Sequence, residues 1–247
     1  MERLLRTITG KEVPNKVATK KYDSFNVDKL SAAINKFLEA QSRDKDGPIK
    51  KEHFSPSATA TCKRYYYLLF DGAEQKSKIS SRLQRIFDNG HDVHARWRGY
   101  FEAMGILHDS EVFFANYDIV PIRGSADGIL NFGKRIPYEL KSINKERYAF
   151  RQLHNKPDDN TYRQLQLYMW ALAFEVGIVI YENKDNQEFL IFVVEYDEKF
   201  VAKELEKRRK IYQLYQEGKR PPRPYKRESR ACSDCPLETY CWDTLDD

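Results

Sequence analysis

The hydrophobic period of this chain switches in a fixed order along its length, and that order limits the folds open to it. Leu83, Ile86, Phe87, Gly90, His94, Trp97, Phe101 and Met104 recur mostly at steps of three and four, which predicts one amphipathic helix over residues 81–104, closed by Gly105. Three extended segments follow at 111–120, 123–132 and 136–142, separated by Pro121 and by Gly133-Lys134, and they read as an antiparallel meander. Residues 161–176 return to helical spacing, 177–181 and 188–196 are β-branched, apolar strands, and a long charged helix covers 198–217. Helix, three strands, helix, two strands, helix describes a sheet covered by helices, an α/β fold.

The 247 residues are enough for one full core with extensions. Residues 1–50 read as an accessory segment in which Val27, Leu30, Ile34, Phe37 and Leu38 form one amphipathic stretch, ending in a linker at 42–48. Residues 51–225 form the expected core. Residues 226–247 are a cysteine-bearing tail, too irregular to stand without a staple. Residues 1–15 are broken up by Arg, Glu and Lys and lack the apolar core of a signal peptide, and no later window sustains a membrane span, so the expectation is a cytoplasmic protein without a membrane partner. The net charge of +5 gathers in clusters such as Lys50-Lys51, Lys63-Arg64 and Arg208-Arg209-Lys210, which attract phosphate backbones but equally describe solvated helix faces.

Chemistry concentrates in the meander. Asp127 follows Gly124-Ser-Ala on its second strand, and Glu139-Leu-Lys141 lies on its third, where residues two apart project from one face. If these strands are neighbours, two carboxylates come side by side, and they repel unless a cation or a proton intervenes. A hard divalent ion such as magnesium suits them, because it prefers oxygen and leaves positions for water and a phosphate oxygen. Lys141 would orient that water or offset charge growing on phosphorus. Read alone, Glu-x-Lys is commonly an exposed cross-strand pair and an Asp in a Gly-rich stretch a turn residue. His94 on the apolar stripe should face the sheet, either as a hydrogen-bonded core residue or as a ligand, with His91 as a substitute. Gln164 and Tyr168, four apart, share a helix face and either orient a phosphate or the lysine, or simply pack.

Cys232-x-x-Cys235 followed by Cys241 sets three thiols in ten residues, with Cys62 far upstream. In a cytosolic chain this argues for a four-thiolate metal site, zinc or iron-sulfur, rather than disulfides. Beside Cys62 lies Lys63-Arg64-Tyr65-Tyr66-Tyr67, cations followed by aromatics. Two readings stand: a surface for single-stranded DNA, or a helix whose tyrosines pack on the core.

Gly90-x-x-x-His94, Gly124-x-x-Asp127, Glu139-x-Lys141 and Gln164-x-x-x-Tyr168, in that order, resemble the four successive motifs of RecB-like nucleases within the PD-(D/E)xK superfamily. No proline precedes Asp127, a departure that RecB-like members share. The resemblance covers about residues 55–241 and implies a central mixed sheet flanked by helices. It further implies that His94, Asp127, Glu139 and the Leu140 carbonyl ligate Mg2+ or Mn2+, that Lys141 is catalytic and that Gln164 and Tyr168 support DNA, with Glu111 a further acid. The cysteine layout resembles the iron-sulfur branch, the CRISPR-associated Cas-four-type exonucleases and AddB-type nuclease subunits, and implies a structural [4Fe-4S] cluster on Cys62, Cys232, Cys235 and Cys241. The expected activity is exonucleolytic cleavage of single-stranded or free-ended DNA. No phosphate-loop motif is present, so unwinding would come from a helicase, CRISPR-adaptation or replication partner. The competing readings are a non-catalytic DNA-binding adaptor and a zinc-stapled endonuclease.

Overall fold

The computed structural model describes residues 26–43, 46–58, 62–76 and 79–245. In chain order the elements are α1 (Val27–Arg43), β1 (Gly47–Pro48), α2 (Lys63–Asp71), β2 (Glu74–Gln75), α3 (Ser81–Ala103), β3 (Leu107–Asn116), β4 (Ile122–Phe132) and β5 (Lys134–Ile143). They continue with α4 (Lys145–His154), α5 (Asp159–Leu172), β6 (Val176–Asn183), β7 (Phe189–Glu195), α6 (Glu198–Gln216), α7 (Arg230–Ser233) and α8 (Glu238–Asp243).

The five long strands form one sheet in the order β3-β4-β5-β6-β7. Every neighbouring pair is antiparallel except β5 and β6, which run parallel. A parallel pair needs a long crossover, and α4 with α5 supplies it. The expected mixed sheet flanked by helices is therefore the observed architecture. α5 covers one face, where Leu165 and Met169 pack on Val179, Tyr181, Phe192 and Val194. α3 covers part of the other, where Val93, Trp97 and Phe101 meet Leu130, Tyr138, Leu140 and Ile180.

Several local expectations are corrected. The buried row of α3 is Val93, Trp97 and Phe101, spaced four apart, whereas Ile86, Phe87 and Met104 are exposed. In the N-terminal half of α3 only Ser81 is buried, and Leu83 is half-buried. The helix expected at 161–176 is Asp159–Leu172, stopped by Ala173 in the left-handed conformation. α4 was not anticipated, because of its apolar residues only Tyr148 is buried and no stripe announces it. α1 matches the amphipathic stretch, but Val27, Leu30, Ile34 and Phe37 are exposed, and the helix touches α3 through polar groups such as Ser81 Oγ donating to Asn35 Oδ1 at 2.9 Å.

Gly128 shows how closely β4 is fitted. A Cβ there would stand 2.6 Å from the Asp109 carbonyl oxygen and 2.7 Å from the Tyr138 ring, which no real contact tolerates. Gly128→Ala is expected to cost about 1–3 kcal/mol, read as a lower urea midpoint. A midpoint equal to that of the parent would mean that β3 and Tyr138 move aside freely.

Candidate active site

β4 and β5 separate at the point where the carboxylates lie. Their paired register ends at Gly128↔Tyr138, and one step further the Asp127 side chain replaces a main-chain acceptor, taking the Leu140 N–H on Oδ2 at 2.7 Å. This bond seats Asp127 against the Glu139-Leu140-Lys141 segment. Glu139 is 0% exposed and forms an ion pair with Lys141. Apart from that pair, neither of its oxygens has a hydrogen-bond partner among the described residues.

Burial pushes the Glu139 carboxyl well above the carboxylate range, and the neighbouring Asp127 adds to the effect. Burial also raises Asp127, partly offset by His94, the Leu140 N–H and Lys141. Lys141 moves the other way from what its burial alone would do. Desolvation works to lower it, but the Glu139 and Asp127 carboxylates outweigh that and hold it above the usual lysine value. Two acids and one base thus share a poorly solvated point.

α3 brings His94 to this point. Its Nδ1 stands 3.5 Å from Asp127 Oδ1 on β4, so the ring faces the sheet as expected, although it is only half-buried. The fully buried positions belong to Val93 and Trp97, and the adjacent row, His94 and Arg98, lines an open groove of about 1400 Å³. His91 lines the same groove, with Arg82 and Arg85 further along the helix and Lys184 and Asp185 opposite.

α5 closes the site from the other side. Gln164 Nε2 donates to Tyr168 Oη at 2.6 Å, both buried, and the Tyr168 hydroxyl is pushed up by burial with the Glu139 charge adding to it. The helix is anchored by Asp158, which accepts from the Asn160 and Thr161 N–H groups and takes the Tyr181 hydroxyl at 2.6 Å. Tyr181 lies opposite Lys141 in the β5/β6 register. Asp158 as a helix cap is legible from Asp-Asp-Asn-Thr, but its closeness to Lys141 is a property of the crossover.

Two further residues escaped sequence reasoning. Arg98 pairs with Glu111 at 2.6 Å, and its position four after His94 is the signal that could have found it. Glu111, across β3/β4 from Asp127, holds a φ of 52°, a conformation unfavourable for a residue with a side chain. Glu182 accepts from Arg96 Nη2 at 2.7 Å and from Trp97 Nε1 at 2.6 Å while nearly fully buried. Glu182→Ala strands the indole N–H and should cost about 1–3 kcal/mol. Urea denaturation with an unchanged midpoint would exclude that role for the network.

The cysteines converge at the far end of α2. Cys62 caps that helix, and Cys235 and Cys241 pack with Tyr67, Leu68, Leu69 and Leu237. Burial raises the Cys235 thiol to about 11, with Cys62, Cys232 and Cys241 adding to the rise. Cys62 is raised in the same way, by burial and then by Cys241 and Cys232, against backbone hydrogen bonds that lower it. Thiols that disfavour one another's ionisation are the donor set a cation would relieve. Among the described residues no three His, Cys, Asp or Glu side chains are already gathered as a cage for one ion.

The proposed DNA contacts beside Cys62 divide. Lys63 is exposed and Tyr65 half-buried, but Arg64 is 2% exposed and donates to the Pro221 carbonyl at 3.0 Å, and Tyr66 is buried with its hydroxyl on the Ala58 carbonyl at 2.8 Å. Tyr66 packs in the core beside Phe54 and Phe70 and Arg64 is buried against the Pro221 carbonyl, which removes both from any surface for DNA. No helix among the described residues is long and apolar enough to cross a membrane.

No curated protein matches this sequence. Among solved structures, the alkaline exonuclease LHK-Exo from Laribacter hongkongensis is similar, with a TM-score of 0.52 at 15% identity over 74% of this chain and 93% of that one. The structure titled SSO0001 has a TM-score of 0.48 at 17% identity, over 88% of this chain and 98% of that one. The likeness to LHK-Exo is one of fold. Residues 34–242 match the model of the PD-(D/E)XK nuclease superfamily. That span takes in the carboxylates, the lysine, both flanking helices and all four cysteines, and on it the chain belongs to the PD-(D/E)XK nuclease superfamily.

Proposed function

We propose that this protein is a divalent-metal-dependent DNA exonuclease whose tail is fastened by a structural [4Fe-4S] cluster. The observation that carries the reading is Glu139, a fully buried carboxylate whose one partner among the described residues is Lys141, set beside Asp127, which lines an open groove. Asp127, Glu139, the Leu140 carbonyl and His94 would supply a mostly oxygen donor set with one nitrogen, suited to Mg2+ or Mn2+ once drawn together around the ion. A bound ion of this kind polarises a phosphoryl oxygen and makes a water more acidic. Lys141 then holds the attacking water and balances charge as the phosphodiester is hydrolysed. Tyr168 and Gln164, one hydrogen-bonded unit, keep the far side of the carboxylates ordered, and Glu111 with Arg98 borders the phosphate path.

The likeness in fold to an alkaline exonuclease favours free-ended DNA. In this reading residues 51–225 are the nuclease core, and 226–247 are joined to it through Cys62. The four thiols support a cluster on Cys62, Cys232, Cys235 and Cys241, and a colourless preparation containing zinc would replace it with a zinc site. A cytoplasmic setting and a helicase, CRISPR-adaptation or replication partner complete the proposal.

The test is incubation of the protein with end-labelled single-stranded DNA and Mn2+, alongside Asp127→Ala, Lys141→Ala and a circular substrate. Each variant is expected to lose at least about 10²-fold in rate, and the circle should stay intact. Undiminished cleavage by both variants sinks the site.

A further inference from the structure

Helix α4 takes no part in the site described above, yet it begins at its edge. Its first residue, Lys145, donates its N–H to Asp185 Oδ2 at 2.7 Å, and Asp185 lines the groove with Lys184 and Ser142. α4 therefore continues that wall outward, and at 1.5 Å per residue His154 lies about 14 Å along it. Phe150 is 47% and Leu153 80% exposed. The His154 ring stacks on Phe150, with centroids 3.9 Å apart and planes 20° apart, and the Arg151 guanidinium lies 4.5 Å from the Phe150 centroid.

Charge on this segment is one-sided. Residues 145–156 carry Lys145, Arg147, Arg151 and Lys156 against the single acid Glu146. None of the four cations forms an ion pair among the described residues, whereas on α6 Lys207, Arg208, Arg209 and Lys210 each pair with Glu204 or Glu206, leaving Lys199 and Lys203 without one. An ordinary solvated face explains α6. It does not explain unpaired cations around an aromatic stack that is open to water.

We propose that α4 is a platform for an unpaired DNA strand: a base stacks on the His154–Phe150 pair while Arg147, Arg151 and Lys156 take the flanking phosphates. The proposal rests on the reading of this chain as a DNA nuclease and adds where, and in which form, the strand is held. Bases in a duplex keep their faces inside the helix, so an open aromatic face selects single strands, while cations alone do not.

The experiment reads fluorescence anisotropy of labelled oligothymidine and of a blunt duplex of the same length, in EDTA, with Mn2+-dependent cleavage measured on the same preparations. Phe150→Ala is expected to weaken oligothymidine binding about fivefold or more and to leave the duplex unchanged, while Phe150→Trp restores binding. Arg147→Glu with Arg151→Glu should weaken both substrates and lower the slope of log affinity against log salt on oligothymidine by about 1.4. Arg230→Glu, on the exposed tail, is the control, and unchanged thermal melting checks folding. Equal oligothymidine binding by Phe150→Ala, or equal loss on both substrates, overturns the platform and favours duplex or protein contact there. Cleavage that survives such a result leaves the nuclease reading standing. Loss of oligothymidine binding in Phe150→Ala without any cleavage by the parent would support the platform and count against the nuclease reading.

Discussion

Glu139→Gln is expected to abolish cleavage and, at the same time, to make the metal-free protein more stable. Both effects have one cause. A carboxylate that is wholly buried, beside a second carboxylate, and helped only by Lys141 is held at a cost to the fold. Glutamine keeps the shape and removes the charge. The expected gain is on the order of 1–3 kcal/mol, and at this chain length each kcal/mol moves Tm by about 2–4 °C. Activity should fall by at least roughly 10²–10³-fold, because the amide is a poor ligand for a hard cation.

The pH dependence follows with a definite sign. Glu139 has a folded pKa above its unfolded value. Its contribution is therefore fully present on the acid side, where the carboxyl is protonated in both states. It is lost as pH rises from the ordinary carboxylate range through the raised folded value, because the unfolded chain ionises first. In the Gln variant this decline should disappear. Thermal melts in EDTA across that window decide it, and parallel declines in parent and variant would show that Glu139 is not the strained group.

Cys235→Ser should release the tail. From Cys62 to Cys232 the chain runs 170 residues (232 − 62), so fastening them closes a very long loop. α7 and α8 are short, and without the thiol site they are held by buried Leu237, by Arg223 on the Cys241 and Leu245 carbonyls and by Arg227 on Glu238 and Asp243. The ion pairs on Arg227 are exposed to solvent and contribute little. Losing the proposed staple is expected to cost about 3–5 kcal/mol, with the colour that the proposed cluster would give lost and the tail cut early in limited proteolysis. Because Tyr66 and Phe70 of α2 stay packed on Phe54 without the thiol site, nuclease activity should fall less than stability. An unchanged melting point together with an unchanged proteolysis pattern would contradict a stapled tail.

Much of this protein was legible before its fold. The steps of two at Glu139 and Lys141 and of four at Gln164 and Tyr168 are local periods, and local periods survive in any fold that keeps the element. The same holds for the second and third strands of the meander, whose turns at Pro121 and Gly133 are chemical punctuation, whereas the first, expected at 111–120, runs Leu107–Asn116. The sites of failure are equally specific. His94 reaches Asp127 on the sheet, but it does so from the rim of the groove, because the buried row of the helix is Val93, Trp97 and Phe101. Arg64 and Tyr66 read as a nucleic-acid surface because charge and aromaticity do not reveal which way a helix is turned. α4 went unread because Phe150 and Leu153 face water and only Tyr148 is buried, so it lacks the buried stripe by which a helix is recognised.

The sequence by itself determined the alternation of helix and strand, the order of the motif residues and the clustering of three cysteines, since each depends on neighbours a few residues apart. Only the tertiary structure decided that β5 and β6 run parallel, that Asp127 takes the Leu140 N–H where β4 parts from β5, and that Asp158 and Tyr181 tie α5 to the strand beside Lys141. It also decided the state of Glu139. Its burial is made by helices and strands far apart in the chain, and desolvation, unlike periodicity, is a sum over everything that surrounds an atom.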